Sequence, residues 1–139
     1  MTITQAFLRL AVWGLLCADC SNAADNSRRE IKTTVCAISA HPERFDGKVV
    51  VFSGQFISDG IERSAVIDNS CQNYGIGIAI PEHFIGKDSW NKATRVGGPG
   101  TRDKTITGLF VGQFRWQPKQ DPKRFFVLKE VRSVSVVMR

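Results

Sequence analysis

The chain has 139 residues and a formal net charge of +6, from 19 Lys and Arg against 13 Asp and Glu. That length is expected to hold one domain around one core. The positive balance points to acidic partners (anionic lipid, lipopolysaccharide, acidic glycans, an acidic protein or nucleic acid) or to solubility alone.

The N-terminus reads as an export signal. Ala6 to Cys17 is apolar apart from Arg9, and is too short for the roughly 20 residues of a spanning helix. Ser21-Asn22-Ala23 then supplies the small residues of a signal-peptidase site. Residues 1–23 are therefore expected to be a signal peptide cleaved near Ala23, with Ala24 next in line; an ordinary buried helix is the bland alternative. A lipidated N-terminus fits poorly, because Leu16 precedes Cys17 and Asp19 precedes Cys20 where a small residue is required. The expected location is periplasmic or secreted.

Cleavage removes Cys17 and Cys20 and leaves Cys36 and Cys71. Two cysteines in an oxidising compartment are expected to pair. The two that remain do not form a C-x-x-C, so the bond reads as a staple rather than a redox centre.

Residues 24–32 are polar and aperiodic, a flexible N-terminal arm before a domain at 33–139. Thr34 or Thr33 can cap a short helix over Val35 to Ile38, which Pro42 ends or follows with a second turn. Asp46-Gly47 is a turn, and Lys48–Ser58 reads as the first strand. Its Val50, Phe52, Gly54 and Phe56 form the apolar face, opposite Val49, Val51, Ser53 and Gln55. Gly54 inside a strand predicts a bend or bulge. Asp59-Gly60 is a hairpin signal. Ser64–Asp68 and Ile76–Ile80 are the second and third strands. Pro81 opens a weak helix through Glu82 to Lys92. Gly97-Gly98-Pro99-Gly100 is a loop. Lys104–Trp116 and Arg124–Val137 are the last strands, joined by a loop with Pro118 and Pro122. Ser53-Gly54-Gln55-Phe56 is echoed by Thr107-Gly108-Leu109-Phe110, as if two strands met one demand for a glycine bend beside a core Phe.

This order predicts a mainly β fold. Its architecture is a five-stranded OB-like Greek-key barrel, with a short N-terminal helix and another between strands three and four. An SH3-like barrel or a small open sandwich is the alternative. The spacing Cys36-x5-Pro42-x2-Phe45-Asp46-Gly47-Lys48-x-Val50, a strand with an internal Gly and a Cys after the second strand carry a resemblance. Over roughly residues 33–137 the chain resembles small exported bacterial OB-fold-like proteins, mostly uncharacterised. The fold is named for oligonucleotide and oligosaccharide binding, but a fold alone does not assign an activity.

No catalytic set emerges. His41 and His83 lack a neighbouring nucleophile motif, and neither G-x-S-x-G nor triad spacing occurs. Asp59 with Glu62 is turn chemistry, and Asp68 with Asp103 is arbitrary. Metal-ligand spacings are missing, and the 97–100 loop lacks the G-K-[ST] ending of a phosphate loop. The chain is thus expected not to be an enzyme, with no catalytic residue, metal or cofactor. Binding is the better class. Such barrels bind across strands two and three, between the 1–2 and 4–5 loops. That rule selects Arg63, Tyr74, Arg115, Trp116, Lys119, Lys123 and Arg124, with Asn73, as a ligand face suited to stacking and anion contacts. The opposing reading is that Trp116 and Tyr74 cover barrel ends and the basic residues are only solvated.

The functional expectation is an exported binding or accessory protein of the bacterial envelope. Its partner would be an envelope component, glycan or protein, with acidic character. The alternative is single-stranded nucleic-acid or acidic-polymer binding by the same face, which export disfavours. An enzyme, such as a hydrolase of the lysozyme type, is the third possibility.

Overall fold

A computed structural model describes residues 29–71 and 75–139. The expected signal peptide and most of the expected arm lie outside them, as do Asn73 and Tyr74. Among the described residues there are six strands, two α-helices and one 3-10 turn. The strands are β1 (Ile31–Lys32), β2 (Val49–Ser58), β3 (Ser64–Ile67), β4 (Gly75–Ala79), β5 (Lys104–Trp116) and β6 (Arg124–Met138). The helices are α1 (Val35–Ala40) and α2 (Asp88–Arg95).

Five strands close a barrel. Each is hydrogen-bonded to the next in the cycle β2–β3–β4–β6–β5, and β2 pairs with β5 to complete it. Closure removes the open edges that a twisted antiparallel sheet would otherwise present. All pairs in the cycle are antiparallel except β4 with β6, where Gly77, Ile78 and Ala79 face Phe125, Phe126 and Val127 in parallel. The fold is mainly β with two short helices, and the closed five-stranded barrel is compatible with an OB-like fold.

The alternation of β2 sets the interior. Val50, Phe52 and Phe56 point inward and are buried. They meet Phe110, Phe114, Phe126 and Leu128 from β5 and β6. Phe52 and Phe126 pack edge-on with centroids 4.9 Å apart, and Phe56 meets Trp90 of α2 at 5.1 Å. Tilted aromatic pairs of this kind add about 1 kcal/mol each to the burial of their area. The opposite face of β2 is also apolar at its start. Val49 and Val51 form a second buried cluster with Val111, against which Leu109 packs.

Thr34 starts α1 by accepting a hydrogen bond from the Ala37 amide at 3.0 Å, a cap worth about 1 kcal/mol. Pro42 stands at the start of the following 3-10 turn. α1 carries Val35 and Ile38 into the core. It also presents Cys36, which is bonded to Cys71 across a Cα–Cα distance of 5.4 Å. The expected staple is therefore present. Ile31–Lys32, at the end of the stretch read as a flexible arm, runs parallel to Val50 and Val51. Just before it, Glu30 forms a two-pronged ion pair with Arg132 of β6.

α2 begins later than the sequence suggests. Pro81 opens a turn and not the helix; the helix starts at Asp88, after Lys87. Its far end is fixed from a later strand. Lys104, only 1% exposed, donates from Nζ to the carbonyls of Thr94 (2.8 Å), Val96 (2.5 Å) and Gly98 (2.9 Å). One ammonium thus satisfies carbonyls that a helix C-terminus leaves open. The 97–100 loop serves this cap: Gly97, Gly98 and Gly100 all have positive φ, and carbonyls rather than amides converge on the cation.

Candidate functional site

The outer face of β3 and β4 carries a groove of about 750 Å³. Its floor is small because Val66, Ile76 and Ile78 use the inward positions, leaving Ala65, Gly75 and Gly77 facing out. One wall is the β2–β3 loop with Asp59, Glu62 and Arg63; the other is the β5–β6 loop with Asp121 and Pro122, backed by Phe125.

Both walls have identifiable causes. On the first, one oxygen of Asp59 accepts from the amides of Ile61 (2.9 Å), Glu62 (3.0 Å) and Arg63 (3.0 Å). These backbone donors hold its carboxyl below the usual aspartate range, with a smaller contribution from the Arg63 charge. The carboxylate therefore fixes the loop that presents Arg63. On the second, Pro122 folds onto Gly77: a Cβ at Gly77 would lie 2.7 Å from Pro122 Cγ. Only a bare strand backbone admits the loop this closely.

The expected ligand face is divided by this geometry. Arg63 lines the groove. Arg115 and Trp116 lie at the end of β5, beside the Asp46-Gly47 turn. Arg115 Nη1 is 3.9 Å from where a Gly47 Cβ would stand, and the Trp116 amide donates to Asp46 Oδ1 at 3.0 Å. Trp116 is half-buried against the main core. Arg124 faces Trp116 across the β5–β6 ladder. Lys119 and Lys123 are exposed on the β5–β6 loop, and neither joins Asp121 and Pro122 in the groove wall. Tyr74 lies outside the described residues.

The ionisable lining is thus Asp59, Glu62 and Asp121 against Arg63. Sequence reasoning passed over Asp121, Pro122 and Phe125. The signal was available in the spacing Gly75-x-Gly77, two small outward residues that leave a strand open to a covering loop.

Other candidate chemistry resolves into scaffold. Cys36, Asp68 and Cys71 place ligand-type atoms within 4.8 Å of one another, but the two sulfurs are bonded together and offer no thiolate to a metal. Asp68 accepts from the Ser70 hydroxyl (2.6 Å) and amide (2.9 Å), and these bonds hold its carboxyl below the ordinary range. His41 caps the end of α1 and is 3.8 Å from Glu43; both are exposed. Among the described residues, no helix is long and apolar enough to cross a membrane.

Compared with known protein families and with curated proteins, the chain matches none.

Proposed function

We propose that this chain is an exported, non-enzymatic binding or accessory protein of the bacterial envelope, with an OB-like barrel that uses the β3–β4 face. The observation that carries the reading is the groove itself. It runs over the outward residues Ala65, Gly75 and Gly77, between the β2–β3 and β5–β6 loops, where barrels of this type take extended ligands. The parallel β4–β6 pair and the helix between β4 and β5 support the Greek-key assignment. The Cys36–Cys71 bond and the apolar stretch before Ala23 support export.

The lining refines the partner. Three carboxylates and one guanidinium repel a polyanion at close range. A glycan or polar protein segment fits better, with Phe125 and Pro122 as an apolar platform and Arg63 and the carboxylates bonding hydroxyls or amides. Nucleic acid is disfavoured by the same charges.

Capture from envelope extract tests this. Wild type and Lys123→Glu are expected to retain the same partner, and Ala65→Trp, which fills the groove from an outward position, to lose it. Equal capture by Ala65→Trp would refute the assignment.

A further inference from the structure

A group of positive side chains stands at the end of the barrel where β5 stops. Arg44 and Lys48 lie on the turns before β2, Arg115 at the end of β5, and Lys119 and Lys123 on the β5–β6 loop; all five are exposed. Among the described residues none of the five is in an ion pair. Lys87 and Arg132 differ, being paired with Glu130 and with Glu30 and Glu130. Lys104 differs too, since its ammonium caps α2.

Backbone bonds join these segments into one surface. The Gly47 amide donates to the Phe114 carbonyl at 2.9 Å, and the Phe114 amide to the Lys48 carbonyl at 3.0 Å. The Trp116 amide donates to Asp46, and the Arg115 guanidinium lies against Gly47. On the loop, the Gln117 amide donates to the Lys123 carbonyl at 2.7 Å and the Gln120 amide to the Gln117 carbonyl at 3.0 Å. The charges therefore ride on a fixed backbone, which lowers the ordering cost of presenting them together. The carboxylates of the same segments have other contacts. Asp46 accepts the Trp116 amide, Glu43 is 3.8 Å from His41, and Asp121 lines the groove.

The arrangement selects the kind of anion. Cations in a cleft converge on one anionic group. These are spread over turns and a strand end, outside the groove, and so suit a plane of many anions better than a single one. We propose that this end of the barrel docks on an anionic lipid bilayer, with the five cations meeting the phosphodiesters of its headgroups. The contact is independent of what the groove binds. It also places the groove beside the bilayer, because Asp121 and Pro122 of the same loop line the groove while Lys119 and Lys123 lie outside it.

The test is cosedimentation of the full chain with vesicles of equal parts phosphatidylcholine and phosphatidylglycerol, beside vesicles of phosphatidylcholine alone. The uncharged vesicles measure the contribution of the apolar stretch 6–17. Binding to the anionic vesicles above that background is expected, falling as salt rises. Lys119→Gln/Lys123→Gln should weaken it about thirtyfold. Lys92→Gln/Arg95→Gln removes the same charge from α2, which Lys104 caps at the opposite end of β5, and should leave binding unchanged. Equal loss from the two pairs would mean attraction by net charge alone and overturn the proposal, as would full binding by Lys119→Gln/Lys123→Gln. Release by inorganic phosphate, or by a single-stranded oligonucleotide at matched phosphate concentration, would overturn the bilayer as the occupant. Ala65→Trp should bind the vesicles as wild type does; its failure to do so would move the contact to the groove and overturn the proposal.

Discussion

Gly54 and Gly108 stand directly opposite each other in the β2–β5 ladder, flanked by the facing pairs Phe52–Phe110 and Phe56–Ile106. The repeated hydroxyl–Gly–x–Phe pattern is thus one structural event seen from two strands. A Cβ at Gly54 would lie 2.4 Å from Val66 Cγ1 and 2.9 Å from the Ile67 carbonyl. At Gly108 it would lie 2.9 Å from the Phe110 ring and 3.0 Å from the Ser133 carbonyl. Gly54→Ala and Gly108→Ala should each cost about 1–3 kcal/mol through overpacking. As ladder neighbours they should be non-additive in a double-mutant cycle. Denaturant unfolding checks this.

Lys104 organises the helix that closes one end of the barrel. Replacing it by Met keeps the apolar stem but leaves three carbonyls without their donor. A loss of about 3 kcal/mol is expected, with early amide exchange at residues 94–98 and altered Trp90 packing. Wild-type exchange protection in that segment would contradict the role.

How much of this was readable in the chain depends on the distance over which each feature is caused. The bounds of β5 follow from local alternation and were legible, as was the inward face Val50–Phe52–Phe56. The Cys36–Cys71 pairing followed from counting. The start of α2 was not legible, because Pro81 gives a false local signal, and the cap at its far end was not legible because Lys104 supplies it from a later strand. The face of β2 with Val49 and Val51 was not recognised as buried, because its partner Val111 is 60 positions beyond Val51 and meets it only through barrel closure. Within the candidate site, Arg63 was found from loop logic. The tie of the Trp116 amide to Asp46, which sets the end of β5, spans 70 residues and was not legible. The groove wall at Asp121 and Pro122 depends on register between Gly77 and a loop from the other end of the chain.

The disulfide closes a loop across a separation of 35 residues. Its reduction, or paired Cys36→Ala and Cys71→Ala changes, should cost about 3–4 kcal/mol by loop-closure entropy. Thiol titration of oxidised protein should find neither sulfur reactive before reductant. Two free thiols in protein purified without reductant would contradict the assignment.

Acid should loosen the β2–β3 loop before the core. The Asp59 carboxyl is held below its ordinary value by backbone amides. Its contribution is therefore present above the ordinary aspartate pKa and is lost as pH falls through the lowered native value. The amide resonances of Ile61, Glu62 and Arg63 should titrate together in that acid window, and Asp59→Asn should remove the transition. Glu30, held low chiefly by its bond to Arg132, should release the N-terminal segment in the same direction.

The most direct measurement is amide shift mapping with soluble fragments of envelope glycan, on wild type, Ala65→Trp and the Lys119→Glu/Lys123→Glu double variant. The groove account predicts shifts at Ala65, Gly77, Asp121 and Phe125, lost in Ala65→Trp and kept in the double variant. Shifts centred on Lys119 and Lys123, lost only in the double variant, would contradict it.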